Sequence, residues 1–203
     1  MIVVVDYGLG NLASIKNMLK HVGVKDVVIS SEKSQIYSAS KIILPGVGAF
    51  DNGMKNLSKL GLIDILNEKA LKSKVPFLGI CLGMQLMTKG SDEGKLSGLG
   101  WFDAYTYKFN LDKDFKIPHM GWNYVKKVKD EAGFLSNNKN YRFYFVHSYY
   151  AKCNDNNDIL GTTDYSLDFV SCVKKKNIYG AQFHPEKSHY FGKEFLKIFL
   201  EHH

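Results

Sequence analysis

Cys81 sits in Gly79-Ile80-Cys81-Leu82-Gly83 at the end of the apolar run Val75-Pro76-Phe77-Leu78, and far downstream the chain reads Gln182-Phe183-His184-Pro185-Glu186. A cysteine flanked by small residues at the close of a buried strand is suited to a sharp strand-to-helix turn. There the sulfur projects outward and meets the free N–H groups of the next helix. Such a sulfur is a nucleophile once an imidazole carries its protons and a carboxylate orients that imidazole. His184 and Glu186 are residues of those two types. Each segment also has a plainer reading. Cys81 alone fits tight strand–helix packing, and His184-Pro185-Glu186 alone fits a surface turn in which proline closes a strand. The two segments in one chain favour nucleophilic catalysis.

Other segments bear on the same chemistry. Pro45-Gly46-Val47-Gly48 follows an apolar run, and its two glycines let the backbone approach a ligand and expose amide N–H groups, as a developing oxyanion requires; a tight turn is the simpler alternative. The Leu82 N–H, directly after the nucleophile, is the second expected donor. Gln85 falls one helical turn beyond Cys81, on the same side, where it could bind the head group of an amino acid. Gly8-Leu9-Gly10-Asn11-Leu12-Ala13 satisfies a dinucleotide-binding pattern with Glu32 further on, but that reading leaves Cys81, His184 and Glu186 unexplained. Asn11 by itself reads as a helix N-cap.

The elements that must position these residues follow from periodicity. Short apolar runs predict strands at 2–5, 26–30, 41–45 and 76–80. Leu12, Ile15, Leu19 and Val22, and then Met54, Leu57, Leu60, Ile63 and Leu66, recur at helical spacing and predict crossover helices of a parallel sheet. Beyond about residue 98 the chain turns to aromatic and β-branched segments, predicting strands and hairpins at 100–109, 122–128, 142–150, 158–163, 168–174 and 177–183. Phe191, Phe195, Ile198 and Phe199 mark one face of a closing helix. Asn137-Asn138-Lys139-Asn140 and Asn154-Asp155-Asn156-Asn157 read as turns.

Composition narrows the class. A chain of 203 residues, 45% hydrophobic and 23% charged, suits one globular domain over 1–200, and no apolar stretch approaches the about 18 residues of a membrane span. Met1-Ile2-Val3-Val4-Val5-Asp6 carries no basic leader, so a cytoplasmic protein is expected. Cysteines at 81, 153 and 172 make no disulfide framework. The net charge is +7, yet the one arginine is Arg142 and the one compact basic run, Lys174-Lys175-Lys176, reads as a hairpin tip, which argues against a nucleic-acid partner. Leu200-Glu201-His202-His203 looks like the start of a purification tag, with 201–203 outside the domain, and its histidines are set aside as metal ligands.

Taken together, the Cys81 elbow and the His184-Pro185-Glu186 segment resemble the class I (triad) glutamine amidotransferases. Asp6-Tyr7-Gly8-Leu9-Gly10-Asn11-Leu12, Pro45-Gly46-Val47-Gly48-Ala49-Phe50, Pro118-His119-Met120-Gly121-Trp122-Asn123 and Tyr144-Phe145-Val146-His147-Ser148-Tyr149 are similar to one branch, the glutaminase subunits of imidazole glycerol phosphate synthase. The resemblance covers essentially the whole chain in order and spacing. It implies an α/β, flavodoxin-like fold: a mostly parallel central sheet flanked by helices, with a hairpin-rich second half. It further implies a Cys81-His184-Glu186 triad, an oxyanion hole at Val47, Gly48 and Leu82, and glutamine binding by Gly46 and Gln85. Neither cofactor nor metal is implied. The branch would deliver ammonia through a sheltered channel to a (β/α)8-barrel cyclase in a heterodimer, with Asn11, Trp122, Tyr144 and Lys187 on the partner side. Low basal turnover, raised by the partner and its nucleotide, is then expected. Other outcomes consistent with the motifs are a partner synthase that aminates or amidinates a surface sugar, a catalytically silent scaffold, or a cysteine hydrolase on a related fold. The intact triad opposes the scaffold, and Gln85 with the Pro-Gly-Val-Gly loop opposes the hydrolase.

Overall fold

The structure, a computed structural model, describes residues 1–129 and 140–201. Strands β1 (Ile2–Val5), β2 (Val27–Ser30), β3 (Lys41–Leu44) and β4 (Phe77–Ile80) come first, then β5 (Ala104–Lys108), β6 (His119–Lys127) and β7 (Tyr141–His147). They are followed by β8 (Tyr149–Cys153), β9 (Ile159–Asp164), β10 (Asp168–Lys175) and β11 (Ile178–Ala181). The sheet order is β2-β1-β3-β4-β11-β10-β9-β6-β7, with β8 joining β10 and β5 joining β8. From β2 to β11 all pairings are parallel. From β11 outward they are antiparallel.

The parallel strands are apolar at nearly every position because both sheet faces are covered. Val3, Val5, Ile42, Leu44 and Phe77 pack with residues of helices α2 (Lys33–Ser38), α3 (Phe50–Lys59), α4 (Ile63–Asn67) and α5 (Leu82–Leu86). The alternate residues Ile2, Val4, Ile43, Leu78 and Ile80 pack on the other side with Ile15 and Leu19 of α1 (Leu12–His21) and Phe195, Leu196 and Phe199 of α6 (His189–Glu201). Burying each such side chain contributes about 1.5–3 kcal/mol. The antiparallel half adds an aromatic core in which Phe143 and Phe183 stack at 3.8 Å between ring centres.

Several expectations shift in detail. The helix predicted through 54–66 is two helices, because Leu60 ends α3 and Gly61 adopts φ +61, a left-handed turn that glycine takes without steric cost. A π-helical turn, Glu68–Lys72, then extends α4. The strand predicted at 142–150 is β7 and β8, parted at Ser148. Helix α2 was not expected, since only Ile36 of its six residues is buried and no periodic stripe marks it. Lys174-Lys175-Lys176 does form the β10–β11 hairpin tip, with Lys176 at φ +55. Asp155 caps the short turn Asn156–Asp158 by accepting from the Asn157 N–H. Residues 137–139 of the other turn cluster, and His202 and His203, lie outside the described residues, while α6 continues through Glu201. Cys153 and Cys172 are buried free thiols that burial pushes up to about 12, so neither is an ionised nucleophile. Among the described residues no helix is long and apolar enough to cross a membrane.

Candidate active site

Cys81 stands between β4 and α5 with φ +53 and ψ −111, a backbone conformation rare for a side-chain-bearing residue. The turn is held by the Cys81 N–H donating to the Ala181 carbonyl at 2.7 Å and by the Gln85 N–H donating to the Cys81 carbonyl at 3.2 Å. Its flanking glycines are required by the tight crossing. A Cβ on Gly83 would overlap the Leu44 carbonyl, and one on Gly79 would come within 2.7 Å of the Met87 methyl.

β11 pairs in parallel with β4, Ala181 opposite Ile80, so the two chains leave the sheet side by side and bring the second motif to the sulfur. The His184 N–H donates to the Tyr144 carbonyl at 2.9 Å, and the Ser188 hydroxyl donates to the His184 carbonyl at 2.6 Å while accepting the Tyr144 N–H at 3.0 Å. The single turn Pro185–Lys187 then returns the Glu186 carboxylate to the ring. Nδ1 of His184 lies 2.8 Å from Oε1 of Glu186, with both side chains only 1% exposed. A carboxylate only accepts, so Nδ1 carries the proton and Nε2 faces the cysteine. Nε2 has no nitrogen or oxygen partner among the described residues. Burial alone would lower His184, but the negative Cys81 sulfur, then Glu186, raise it well above the ordinary imidazole range. The arrangement sets a proton-bearing imidazole against the sulfur.

The sulfur opens on a cleft of about 550 Å³ lined by Val47, Gly48, Leu82, Gln85 and Glu93 on one side and by residues 146–149 on the other. Gly48 takes φ +115 on the cleft edge, and Val47 beside it is 38% exposed. Leu82 is the first residue of α5, so its N–H lacks an intrahelical acceptor. Gly46 is placed differently. It is buried and not on the cleft wall, and a Cβ there would approach the Tyr7 hydroxyl at 2.5 Å and the Leu82 Cβ at 2.7 Å. Its position is therefore one of close packing beneath the loop, where Tyr7 donates to the Pro45 carbonyl at 2.6 Å. The glycines of the dinucleotide-like pattern have a similar purpose. Gly8 and Gly10 adopt φ +84 and +115, and a Cβ on Gly10 would press on Pro45 at 3.0 Å.

Gln85 spends both amide hydrogens, on the Tyr149 carbonyl and on Gln182 Oε1, each at 3.0 Å, which leaves its own oxygen to accept from a ligand. Glu93 accepts the Phe50 N–H at 2.8 Å and so ties the loop 91–94 to the helix that follows Pro45-Gly46-Val47-Gly48. The Tyr149 phenol is pushed up by burial and then by Glu93 and Asp92, so this end of the cleft carries a negative field. The sequence held no periodic signal for Glu93, which lies in a polar loop. Gln182, Ser188 and His147 were within or beside the motifs without an assigned role. The clue was Gln182's two-residue spacing from His184, which places both on one side of an extended chain.

Trp122, Tyr144 and Lys187 form one surface patch beside the triad. Trp122 packs edge-on to Tyr144 at 6.3 Å, Lys187 lies over the Tyr144 ring at 5.6 Å, Arg142 covers Trp122 at 5.3 Å, and His189 stacks on it at 5.8 Å. Asn11 is apart from this patch. It occupies the N-cap position of α1 but makes no cap hydrogen bond, and its amide instead donates to Glu186 Oε1.

The glutamine amidotransferase class-I family profile matches residues 3–202. The chain belongs to the class I glutamine amidotransferases. This amidotransferase is 56% identical over 204 residues to imidazole glycerol phosphate synthase subunit HisH 2 of Methanococcus maripaludis, covering 99% of both chains. It is 48% identical to the Pseudomonas aeruginosa protein of the same name, again over 99% of each. A crystal structure described as a glutamine amidotransferase matches with a TM-score of 0.76 at 17% identity, over 98% of this amidotransferase and 99% of that chain, a likeness of fold.

Proposed function

We propose that the protein is the glutaminase subunit of an imidazole glycerol phosphate synthase, releasing ammonia from L-glutamine for a (β/α)8-barrel cyclase in histidine biosynthesis. The observation that carries this reading is full-length identity of 56% to a subunit of that name, joined to a cysteine–histidine–glutamate site in a cleft.

The geometry supports a definite course. The Cys81 thiolate attacks the side-chain carboxamide carbon, and the oxygen becomes an oxyanion met by N–H groups of Leu82 and of the Val47–Gly48 peptide. His184 gives its Nε2 proton to the departing nitrogen, and ammonia leaves a γ-glutamyl thioester. His184, held by Glu186, then takes a proton from water as the oxygen attacks the thioester. The C–S bond breaks, its electron pair returns to sulfur, and glutamate is freed. The Gln85 oxygen and the Glu93 carboxylate suit the substrate's α-ammonium group.

Ammonia released into water is protonated and loses its nucleophilicity, so a receiving subunit over the cleft is needed. The Trp122, Tyr144 and Lys187 patch is suited to that contact: aromatic and cationic side chains, with exposed Met120 and Tyr124 continuing it along β6. The test is glutamate release from glutamine by the protein alone, with purified barrel cyclase, and with cyclase plus its phosphoribosyl-formimino carboxamide nucleotide. Strong stimulation by both, absent in Cys81→Ala, is the expected result. Glutaminase activity indifferent to cyclase and nucleotide would overturn the pathway, and full activity in Cys81→Ala would overturn the nucleophile.

A further inference from the structure

Gln182 is fully buried two residues before His184, and its side-chain amide spans the space between the substrate pocket and the sulfur. Its Oε1 accepts from Gln85 Nε2 at 3.0 Å, and its Nε2 lies 3.7 Å from Cys81 Sγ. The direction of this bridge is fixed by a main-chain atom. The Tyr149 carbonyl can only accept, and it lies 3.0 Å from the Gln85 side-chain nitrogen, so that end of Gln85 is the NH2 group. The Gln182 atom facing the same NH2 group must then be its oxygen. The Gln182 NH2 group is thereby turned toward the sulfur, and no amide flip satisfies both contacts. The main chain holds the residue in place through the Gln182 N–H, which donates to the Ser171 carbonyl at 2.9 Å.

We propose that Gln182 is a catalytic hydrogen-bond donor to Cys81, holding the sulfur as a thiolate before glutamine arrives and again when the thioester breaks; this rests on Cys81 being the nucleophile. The need for such a donor follows from position. Cys81 is 6% exposed, so negative charge that forms on its sulfur must be met by protein donors in place of water. His184 stabilises the anion from one side but must give up its proton during turnover, and the stabilisation then weakens. An amide does not titrate. Its hydrogen remains on the sulfur in every protonation state of the imidazole, and a bond to an anion is roughly twice as strong as one between neutral groups. In the second half-reaction, as the C–S bond breaks and its electron pair returns to sulfur, the same donor makes the sulfur a better leaving group. Because Gln85 anchors the oxygen end, the donor is aligned by the residue that faces the substrate's head group.

The test is the pH dependence of Cys81 alkylation by iodoacetamide, which requires neither glutamine nor a partner. Labelling is located by mass spectrometry, and Cys81→Ala supplies the blank for Cys153 and Cys172. Gln182→Met removes the amide with little change of volume. Gln182→Glu keeps the acceptor for Gln85, replaces the donor with a second oxygen and adds a negative charge beside the sulfur. The midpoint for labelling is expected to rise by about one pH unit in Gln182→Met and further in Gln182→Glu. Turnover of glutamine should fall about tenfold or more, with KM changed much less. Should Gln182→Met fail to fold, the near-isosteric Gln182→Glu decides. An unchanged labelling midpoint in either folded variant overturns the proposal. Glutaminase activity surviving in Cys81→Ala would instead defeat the reading on which it rests, so the two failures are distinct.

Discussion

The amide nitrogen of Asn11 lies 3.4 Å from Glu186 Oε1, the same carboxylate oxygen that receives the His184 Nδ1–H at 2.8 Å. The start of α1 is thus tied to the residue that orients the imidazole. Asn11→Ala should lower kcat for glutamine about tenfold with KM nearly constant, the weight of one hydrogen bond to a charged group. Asn11→Asp should do more harm, because a second carboxylate would face Glu186. Steady-state kinetics of both variants checks this, and a change confined to KM would contradict it.

The backbone at Cys81 gives a second expectation. A non-glycine residue at φ +53 stores roughly 1–3 kcal/mol, which glycine releases. Both Cys81→Ala and Cys81→Gly should be inactive, yet Cys81→Gly should unfold at the higher temperature of the two. Thermal melts of the two variants side by side decide it. An alanine variant as stable as the glycine one would mean the elbow is not strained.

Gly83 tolerates no side chain. Its missing Cβ faces the Leu44 carbonyl, a backbone atom of a central strand that cannot swing aside. Gly83→Ala should cost several kcal/mol and leave little soluble protein. Gly23→Ala is the contrast: nothing lies near a Cβ there, and its φ of +98 supplies the only strain. The soluble yield and melting temperature of each variant check the difference.

A pH dependence follows from His119 and His147. His147 donates from Nδ1 to the Tyr149 carbonyl at 2.9 Å and so presents Nε2 as acceptor to His119 Nδ1 at 2.9 Å, and Asn123 donates to His119 Nε2 at 3.3 Å. Both rings are neutral in this chain. Burial lowers His119 to about 4, and burial, opposed by the Tyr149 carbonyl and aided by the nearby His119 and His184, lowers His147 to about 3. The unfolded chain takes up these protons near pH 6.5, so stability is complete above that value and is lost as pH falls toward about 4. His184, raised in the folded protein, acts in the opposite sense: its contribution grows as pH falls toward about 6.5, where the unfolded histidine takes up its proton, and adds no further slope once pH is well below that value. The melting temperature should therefore begin to drop as pH falls below about 6.5, before most carboxylates titrate. His119→Gln should flatten that drop by up to one proton. An equal slope in the variant would show that His119 is charged in the fold.

Much of this site was legible in the sequence because its chemistry is held in contiguous segments. Cys81 follows a strand that apolar residues mark plainly, and His184 and Glu186 are separated by a single turn. The first four parallel strands fell within a residue or so of their predicted ends, since their residues are mostly buried. The losses came from long-range packing. Gly46 reads from sequence as a ligand-binding glycine, and only the fold adds that Tyr7 and Leu82 occupy the space where its side chain would be. Asn11 reads as a cap, and only the fold shows that a carboxylate 175 residues away claims its amide. Glu93 reaches Phe50 across 43 residues from a loop with no pattern.

The pairing of β4 with β11 also separates the fixed part of this enzyme's site from its surroundings. Sulfur and imidazole hang from neighbouring strands locked together at Ala181 and Ile80, so parting them means tearing the sheet at its centre. The turn at 45–48 and the wall at 146–149 are carried on strand ends, so the enclosure around the reaction can change without breaking that pairing. The protein consequently carries a standing chemical liability: a cysteine sulfur set beside an imidazole before any substrate is present, on a cleft that electrophiles and oxidants can enter.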